Sequence, residues 1–311
     1  MSLGADPQEQ LRRHLSYSWS KGNGPRHMNQ DTIDLATFDE SHLDGAHVLS
    51  REANWPHRRE DWAMVLSLSR GFVALEDGAV VGTAMMTPFG DTAATINMVI
   101  VAAEMRGRGL GRRLMDRALA AAGPLECRLV ATAEGLPLYE KLGFRATHEI
   151  RQHQGVPDGI AAVAVPHEGR VDWAGAGDLA AIAALDRLAL GMDRGSLLRL
   201  LAEAGRMAVL RAADGQIAGY GVLRPFGRGE VIGPVIAGSE EEAQALIAFL
   251  MAARPGAFLR VDTPALTHLS PWLAACGLEE VGGGIAMRTG PARPEASAPC
   301  KPFALASQAL G

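Results

Sequence analysis

The chain has 311 residues, a length that suggests two domains at roughly 150 residues each, either able to bury a core without disulfide or metal staples. With 48% hydrophobic and 21% charged residues it has an ordinary globular composition, which excludes a disordered or collagen-like chain, and no run approaches the roughly 18 apolar residues of a membrane-spanning helix. A formal charge of −5, both signs interspersed, lacks the basic footprint of a nucleic-acid binder.

Residues 1–30 are polar, carry no apolar signal core and read as a flexible tail. From there the pattern becomes regular. TIDLATF reads as a strand, SHLDGAHVLSREANW and REDWAMVLSLS as helices, and GFVALEDGAVVGTAMMTPF as two strands around the Asp77-Gly78 hairpin signal. TAATINMVIV reads as a buried strand, followed by a Gly/Arg turn and the helix RRLMDRALAAAG, which Gly123-Pro124 closes. LECRLVAT is then a strand, PLYEKLG a short helix, and FRATHEI and GIAAVAV two last strands. The second half repeats this order: RVDWAG, DLAAIAALDRLAL, SLLRLLAEAG, a strand pair around Asp214-Gly215, EVIGPVIA, EEAQALIAFLMAA, FLRVDT and PWLAACGLEEVGG, with FALASQALG as a last strand. Gly82 and Gly219 are 137 apart, and Pro137 and Pro271, like Gly143 and Gly277, are 134 apart. Such constant offsets imply an internal duplication, with a polar join at 166–169.

The segment INMVIVAAEMRGRGLGRRLMDRAL offers an anion site. Gly107, Gly109 and Gly111 let the chain turn and bring backbone N–H groups close to a ligand. The helix after them points its positive N-terminal end at the same place, and Arg106, Arg108, Arg112 and Arg113 add charge. No Gly-Lys-Ser/Thr is present, so this is no Walker A loop, and the glycines fall as G-x-G-x-G, which speaks against a dinucleotide fold.

Arg106-x-x-Gly109-x-Gly111 resembles the pyrophosphate motif of the GNAT N-acetyltransferase superfamily, and Leu138-Tyr139-Glu140-Lys141-Leu142-Gly143-Phe144 is similar to that family's second motif. The likeness covers 31–166 in full and 169–311 as a weaker copy, so the expected architecture is α/β: two tandem GNAT-type domains, each a mixed, mainly antiparallel twisted sheet flanked by helices. The resemblance implies acetyl-CoA as cosubstrate. Val99, Ile100 and Val101 would bind the pantetheine arm through their backbone and polarise the thioester carbonyl. Arg106, Gly107, Arg108, Gly109, Leu110, Gly111 and Arg112 would wrap the pyrophosphate. Tyr139 stands where relatives place the general acid that protonates the departing thiolate.

Two positions depart from the family pattern. Where many relatives carry a cofactor-contacting Asn, this chain has Thr132, whose hydroxyl can substitute; where some carry a glutamate base, it has Thr95, with Asn97 the nearest polar neighbour. Deprotonating a lysine-like amine at pH 7 costs about 4.6 kcal/mol, so Glu52, His57, Asp61 and Asp91 are candidate bases. In NWPHRREDW (54–62), Trp55 and His57 suit a substrate-recognition loop overhanging the acceptor site, and Trp62 reads as a core anchor. Cys127, Cys276 and Cys300 form neither a disulfide framework nor a zinc pattern, Cys127 reads as a core residue, and the histidines fit no ligand spacing, so no metal site is expected.

The second copy has Ser239-Glu240-Glu241-Glu242 in place of the Gly/Arg turn, which would repel a pyrophosphate, and Leu273 in place of the tyrosine. It is expected to complete the acceptor pocket, lengthen the sheet or form a homodimer interface; Arg224-Pro225-Phe226-Gly227-Arg228-Gly229 reads as a surface turn, with a part in that acceptor pocket as the alternative. The function expected is a cytoplasmic N-acetyltransferase that moves an acetyl group from acetyl-CoA to a primary amine of a small molecule by direct attack in a ternary complex, since no nucleophilic Ser or Cys motif is present. The alternatives are a non-catalytic acyl-CoA sensor and a protein lysine or N-terminal acetyltransferase. Neither nucleic acid nor membrane is an expected partner.

Overall fold

The computed structural model describes residues 33–158, 169–290 and 298–311. The expected tail, the strand GIAAVAV and most of the join at 166–169 lie outside the described residues.

In the first copy, β1 (Asp34–Phe38) leads into α1 (Leu43–Glu52) and α2 (Arg59–Leu68). Then come β2 (Arg70–Glu76), β3 (Ala79–Phe89) and β4 (Ala93–Val101), followed by α3 (Leu110–Ala122), β5 (Glu126–Ala131), α4 (Leu136–Lys141) and β6 (Arg145–Gly155). The second copy repeats this as β7 (Arg170–Trp173), α5 (Leu179–Leu190), α6 (Gly195–Ala204), β8 (Arg206–Arg211), β9 (Ile217–Phe226), β10 (Gly229–Ala237), α7 (Glu240–Ala252), β11 (Leu259–Pro264), α8 (Ser270–Ala275) and β12 (Glu279–Arg288), with β13 (Lys301–Ala304) at its end.

Local chemistry explains the element ends. Asp77 and Gly78 both take positive φ, 50° and 81°, the backbone of a tight hairpin between β2 and β3. On α3, Leu110, Leu114, Ala118 and Ala122 recur every fourth residue and are buried, which docks the helix on β2–β4. Trp62 is fully buried, stacks on Phe38 at 6.0 Å and donates its indole N–H to Ser50 Oγ at 2.8 Å; it is the core anchor expected. Cys127 is also buried, and burial pushes its thiol up to about 11, so it is a packed residue and no nucleophile.

The described strands form one sheet in the order β1-β2-β3-β4-β5-β12-β6-β11-β10-β9-β8-β7, with β13 added on β10. Only β4/β5 and β10/β11 pair in parallel. The order contains an exchange: β12 of the second copy lies between β5 and β6 of the first, pairing Ile285 with Ala131 and Arg288 with Arg145, while β6 pairs with β11. Each copy's last long strand therefore lies against the other copy. The glycines at 282–284 allow this: a Cβ on Gly284 would stand 2.6 Å from Val130 Cγ1 and 2.7 Å from Ala131 O. Strand β6 is also longer than the expected FRATHEI. It continues through Gln152, His153 and Gln154, whose partners on both sides belong to the second copy.

The exchange is reinforced by a reciprocal clasp. The β9–β10 turn of the second copy packs on the α1–α2 loop of the first, with a Cβ on Gly227 falling 3.1 Å from Pro56 O. The β3–β4 turn of the first packs on the α5–α6 loop of the second, with a Cβ on Gly90 falling 3.1 Å from Asp193 Cβ. Both partners in these two contacts are 137 apart in sequence, the duplication offset.

Candidate functional site

The site is built where β4 and β5 part. They share three rungs, from Ala93↔Glu126 to Thr95↔Arg128. Beyond these a bulge at Met98, with φ 51°, shifts the register against β3, and Thr83 Oγ1 donates to Met98 O at 2.6 Å to hold it. Ile100 and Val101 still pair with Thr83 and Gly82 of β3, so Val99, Ile100 and Val101 run along the gap with β3 on their other side.

The Gly/Arg turn closes the top of this gap. Gly107 and Gly109 both have φ 75°, a conformation unfavourable for L side chains, and a Cβ on either would meet nothing within 4 Å. The loop therefore faces open space. Leu110 is buried beneath it, and Gly111 approaches both Val101 of β4 and Leu138 of α4, at 3.7 and 3.5 Å from the place of its Cβ. No side chain caps α3 and its first turn holds no acidic residue, so its N-terminal N–H groups keep their attraction for anions. Arg106, Arg108 and Arg112 are exposed around it; Arg108 stands 3.6 Å from Glu76 and Arg112 pairs with Asp116 at 3.1 Å.

Tyr139 lies on α4 below the loop. Its ring is buried, edge-on to Phe144 at 6.0 Å, and covers Gly135, where a Cβ would come 2.8 Å from Tyr139 Cε2. Burial pushes its phenol up to about 12, so the proton is held at neutral pH. Thr132 Oγ1 accepts from Gly135 N at 3.3 Å and so shapes the turn that starts α4.

The candidate bases scatter. Glu52 and Asp91 are exposed. Asp61 is buried, and burial alone would raise its carboxyl. Hydrogen bonds from Arg58 Nη2 at 2.7 Å, Arg58 N at 2.9 Å, Gly227 N at 3.0 Å and Arg58 Nε at 3.2 Å outweigh that and hold it below the usual carboxylate range. With three hydrogen bonds on Oδ2 and one on Oδ1, Asp61 is a structural link between the copies. His57 is enclosed edge-on by Trp55, Phe226 and Trp62 at 5.6, 5.7 and 6.3 Å. Burial lowers its ring to about 4, so it is neutral at pH 7, and its Nδ1 is buried without a partner.

Thr95 and Asn97 lie on the buried strand expected, with partners the sequence did not indicate. They form a buried polar cluster with Thr87 and Ser69: Asn97 Nδ2 donates to Thr87 Oγ1 at 2.9 Å and Thr95 Oγ1 at 3.1 Å, and Ser69 and Thr87 hydroxyls meet at 2.6 Å. Asn97 Oδ1 is left without a partner beside the bulge. The turn at 224–229 corrects the expectation of a surface loop: Arg224 and Phe226 are buried, and Arg58 Nη2 donates to Pro225 O at 3.1 Å. Two arginines, a proline and two glycines spell a solvent turn, and only the partner loop at 54–58 makes it an interface.

In the second copy α7 begins with a capped, acidic turn, Ser239 Oγ accepting from Glu242 N at 3.3 Å, with Glu240, Glu241 and Glu242 around it. The gap between β10 and β11 is filled. After the rungs Glu230↔Leu259 and Val231↔Arg260 these strands part, and β13 enters, pairing Ala304 with Val235 while Leu305 N donates to Asp262 O at 2.9 Å. Among the described residues no cluster of three His, Cys, Asp or Glu side chains is arranged to hold a metal, and no helix is long and apolar enough to cross a membrane.

Residues 67–146 and 182–298 each match a family model described as an acetyltransferase (GNAT) domain. The chain is 30% identical over 243 residues to the uncharacterised N-acetyltransferase YitH of Bacillus subtilis, a match spanning 75% of this chain and 83% of that one. Among solved structures it is similar to a Pyrococcus horikoshii protein assigned to the acetyltransferases, with TM-score 0.73, 18% identity and coverage of 94% and 100%. It is also similar to a tandem GNAT protein from the clavulanic acid biosynthesis pathway, with TM-score 0.59, 15% identity and coverage of 84% and 100%.

Proposed function

The chain belongs to the GNAT acetyltransferase family, and on that premise we propose that its first copy transfers an acetyl group from acetyl-CoA to the primary amine of a small molecule, by direct attack in a ternary complex. The observation that carries this reading is the juxtaposition of an open, uncapped, arginine-rimmed loop with a parted strand pair and a buried phenol.

Acetyl-CoA supplies the activated acyl group; the rest is work for the chain. N–H groups from Gly107 to Arg112 hold the pyrophosphate, with Arg106, Arg108 and Arg112 adding charge. The backbone of Val99, Ile100 and Val101 continues the sheet onto the pantetheine arm and donates to the carbonyl oxygen as negative charge develops there. Thr132 lines the cofactor side of the α4 turn. The Tyr139 hydroxyl, kept protonated by burial, delivers its proton to the leaving thiolate. A phenol near 12 is a weak acid beside a thiol near 8.5, but a thiolate formed in the same apolar slot is destabilised by the same burial, which narrows the difference. With Asp61 held by four hydrogen bonds and His57 at about 4, neither takes a proton from an ammonium at neutral pH. The acceptor therefore reacts as its neutral amine, and kcat/KM rises with pH up to the amine's own pKa.

Calorimetric titration of acetyl-CoA tests the reading. One equivalent binds the native chain, and Gly109→Glu, which strains a left-handed position and sets a carboxylate in the loop, weakens binding at least a hundred-fold; absence of binding to the native chain overturns the proposal. The engagement of Asp61 and the low basicity of His57 favour a second reading, a non-catalytic acyl-CoA sensor, which predicts binding without coenzyme A release for any amine. The covering of loop 54–58 by the second copy favours a small acceptor over a protein side chain.

A further inference from the structure

At the seam between the copies three guanidiniums meet two carboxylates. Asp61 is matched by Arg58. Asp262 is matched by Arg260, whose Nε and Nη2 donate at 2.9 and 3.0 Å, with Gln308 Nε2 adding a third bond at 3.1 Å. Arg224 is the cation left over. It is 2% exposed; its Nη2 donates to Ala306 O at 3.0 Å, its Nη1 reaches Pro225 O at 3.3 Å and stands 3.9 Å from Asp61 Oδ1. Its Nε has no partner. Phe226 offers its ring face to both Arg224 and Arg260, at 4.9 and 5.2 Å, which softens the charge without cancelling it. Burial, with Arg58 and Arg260 nearby, lowers Arg224 to about 10, consistent with incomplete compensation. A buried, unbalanced charge is costly to keep, and an anion beside it would offset that cost.

The second orphan in this place is His57 Nδ1. The neutral ring can carry its proton on Nδ1 and donate. Arg224 and His57 line one crevice together with Asp61, Phe226, Ser307 and Leu310, at the foot of the α1–α2 loop, which the proposed function sets over the acceptor. The crevice holds space for about one water, so it admits the tip of a ligand and not its body.

We infer that this crevice takes the carboxylate of the acceptor, with Arg224 Nε and His57 Nδ1 as its donors, so that the amines acetylated are those of amino acids or their homologues. A monoanion brings the seam to three charges of each sign, whereas a phosphate dianion overshoots and is bulkier. The inference rests on the acetyl-transfer reading and deepens it. It also gives the second copy a share in specificity, since Arg224 and Phe226 are its residues.

The test separates binding from turnover. Propionate, its neutral isostere propionamide and inorganic phosphate are each titrated at constant ionic strength, with thermal stability as readout. Propionate is expected to stabilise the native chain and propionamide and phosphate are not; Arg224→Met weakens the propionate response at least ten-fold and leaves the dissociation constant for acetyl-CoA unchanged. Equal responses to propionate and propionamide, a response to phosphate alone, or an undiminished response in Arg224→Met overturn the inference. Should Arg224→Met fail to fold, Arg224→Lys, which keeps the charge and loses the Nε donor, takes its place. In the turnover arm β-alanine is acetylated with at least ten-fold higher kcat/KM than ethylamine, and equality there overturns the inference while leaving acetyl transfer standing. Propionate binding through Arg224 with neither amine acetylated leaves the anion site standing and removes the transfer reading.

Discussion

In the first copy β4 and β5 share three rungs and part with no described strand between them; in the second β10 and β11 share two and part around residues 301–305 of the same chain. Above the first gap lie Arg106, Gly107, Arg108 and Gly109, above the second Ser239, Glu240, Glu241 and Glu242. The same duplicated geometry has thus kept its opening only where the chemistry for an anion is kept. A parted pair of buried strands leaves backbone polar groups without partners, and those must be met by a ligand, by water or by more protein. Segment 301–305 is the second copy's answer. Thr263 Oγ1 donates to Phe303 O at 2.8 Å, and Phe303 is fully buried in the second core.

The comparison can be broken or sharpened at three points. The largest effect belongs to the filled gap. Phe303→Ala should cost about 3–5 kcal/mol of stability in denaturant titration, as large-to-small changes in closed cores do. A loss under 1 kcal/mol would show that 301–305 is applied to the second copy and not part of it. Next is the seam. His57 is neutral in the fold down to about pH 4 but takes a proton near pH 6.5 when unfolded. The unfolded state binds more protons in that window, so stability is full above pH 6.5 and falls by up to about 3 kcal/mol as pH drops toward 4. His57→Gln should flatten this part of the stability–pH curve, and an unchanged slope would place the titration elsewhere. The smallest effect on stability, though not on rate, belongs to the open gap. Tyr139→Phe should lower kcat about a hundred-fold in a coenzyme A release assay while its affinity for acetyl-CoA stays within two-fold.

The elements with their own local signal were legible in the sequence. Asp77-Gly78 announced a hairpin, the spacing of Leu110, Leu114 and Ala118 a helix, and the glycines at 107 and 109 a left-handed turn, because each is decided by neighbours a few residues away. The order of elements and the duplication followed from the same signals repeated at one offset. Pairing was another matter. Nothing in the alternation of β12 says that it lies beside β5, since periodicity reports which face is buried and not against which strand. The polar run Gln152, His153, Gln154 did not read as strand for the same reason: its burial comes from the second copy, and His153 is fixed there by Leu278 O and Ser270 Oγ, each at 3.0 Å. The surface reading of 224–229 gave way to burial against the first copy, and Asp61 is held by hydrogen bonds there, because each is explained by the other side of one seam. The repeated spacing of 137 between Pro56 and Asp193 and between Gly90 and Gly227 was the available clue, since two loops that clasp reciprocally must repeat at the duplication offset.

The exchanged strands β6 and β12 carry a consequence for how the chain reaches its native state. Their nine rungs join residues up to 143 positions apart, from Arg145 with Arg288, so the middle of the sheet cannot form until nearly all of the chain has left the ribosome. Until then β6 is an unpaired edge of the sort that captures identical edges on neighbouring chains. A gene cut between the copies would yield two halves that each lack a central neighbour: co-expressed, they should reassemble into the whole, and alone each should dimerise through the strand it was meant to trade. That is the route by which a symmetric dimer of single-copy ancestors would have become one polypeptide.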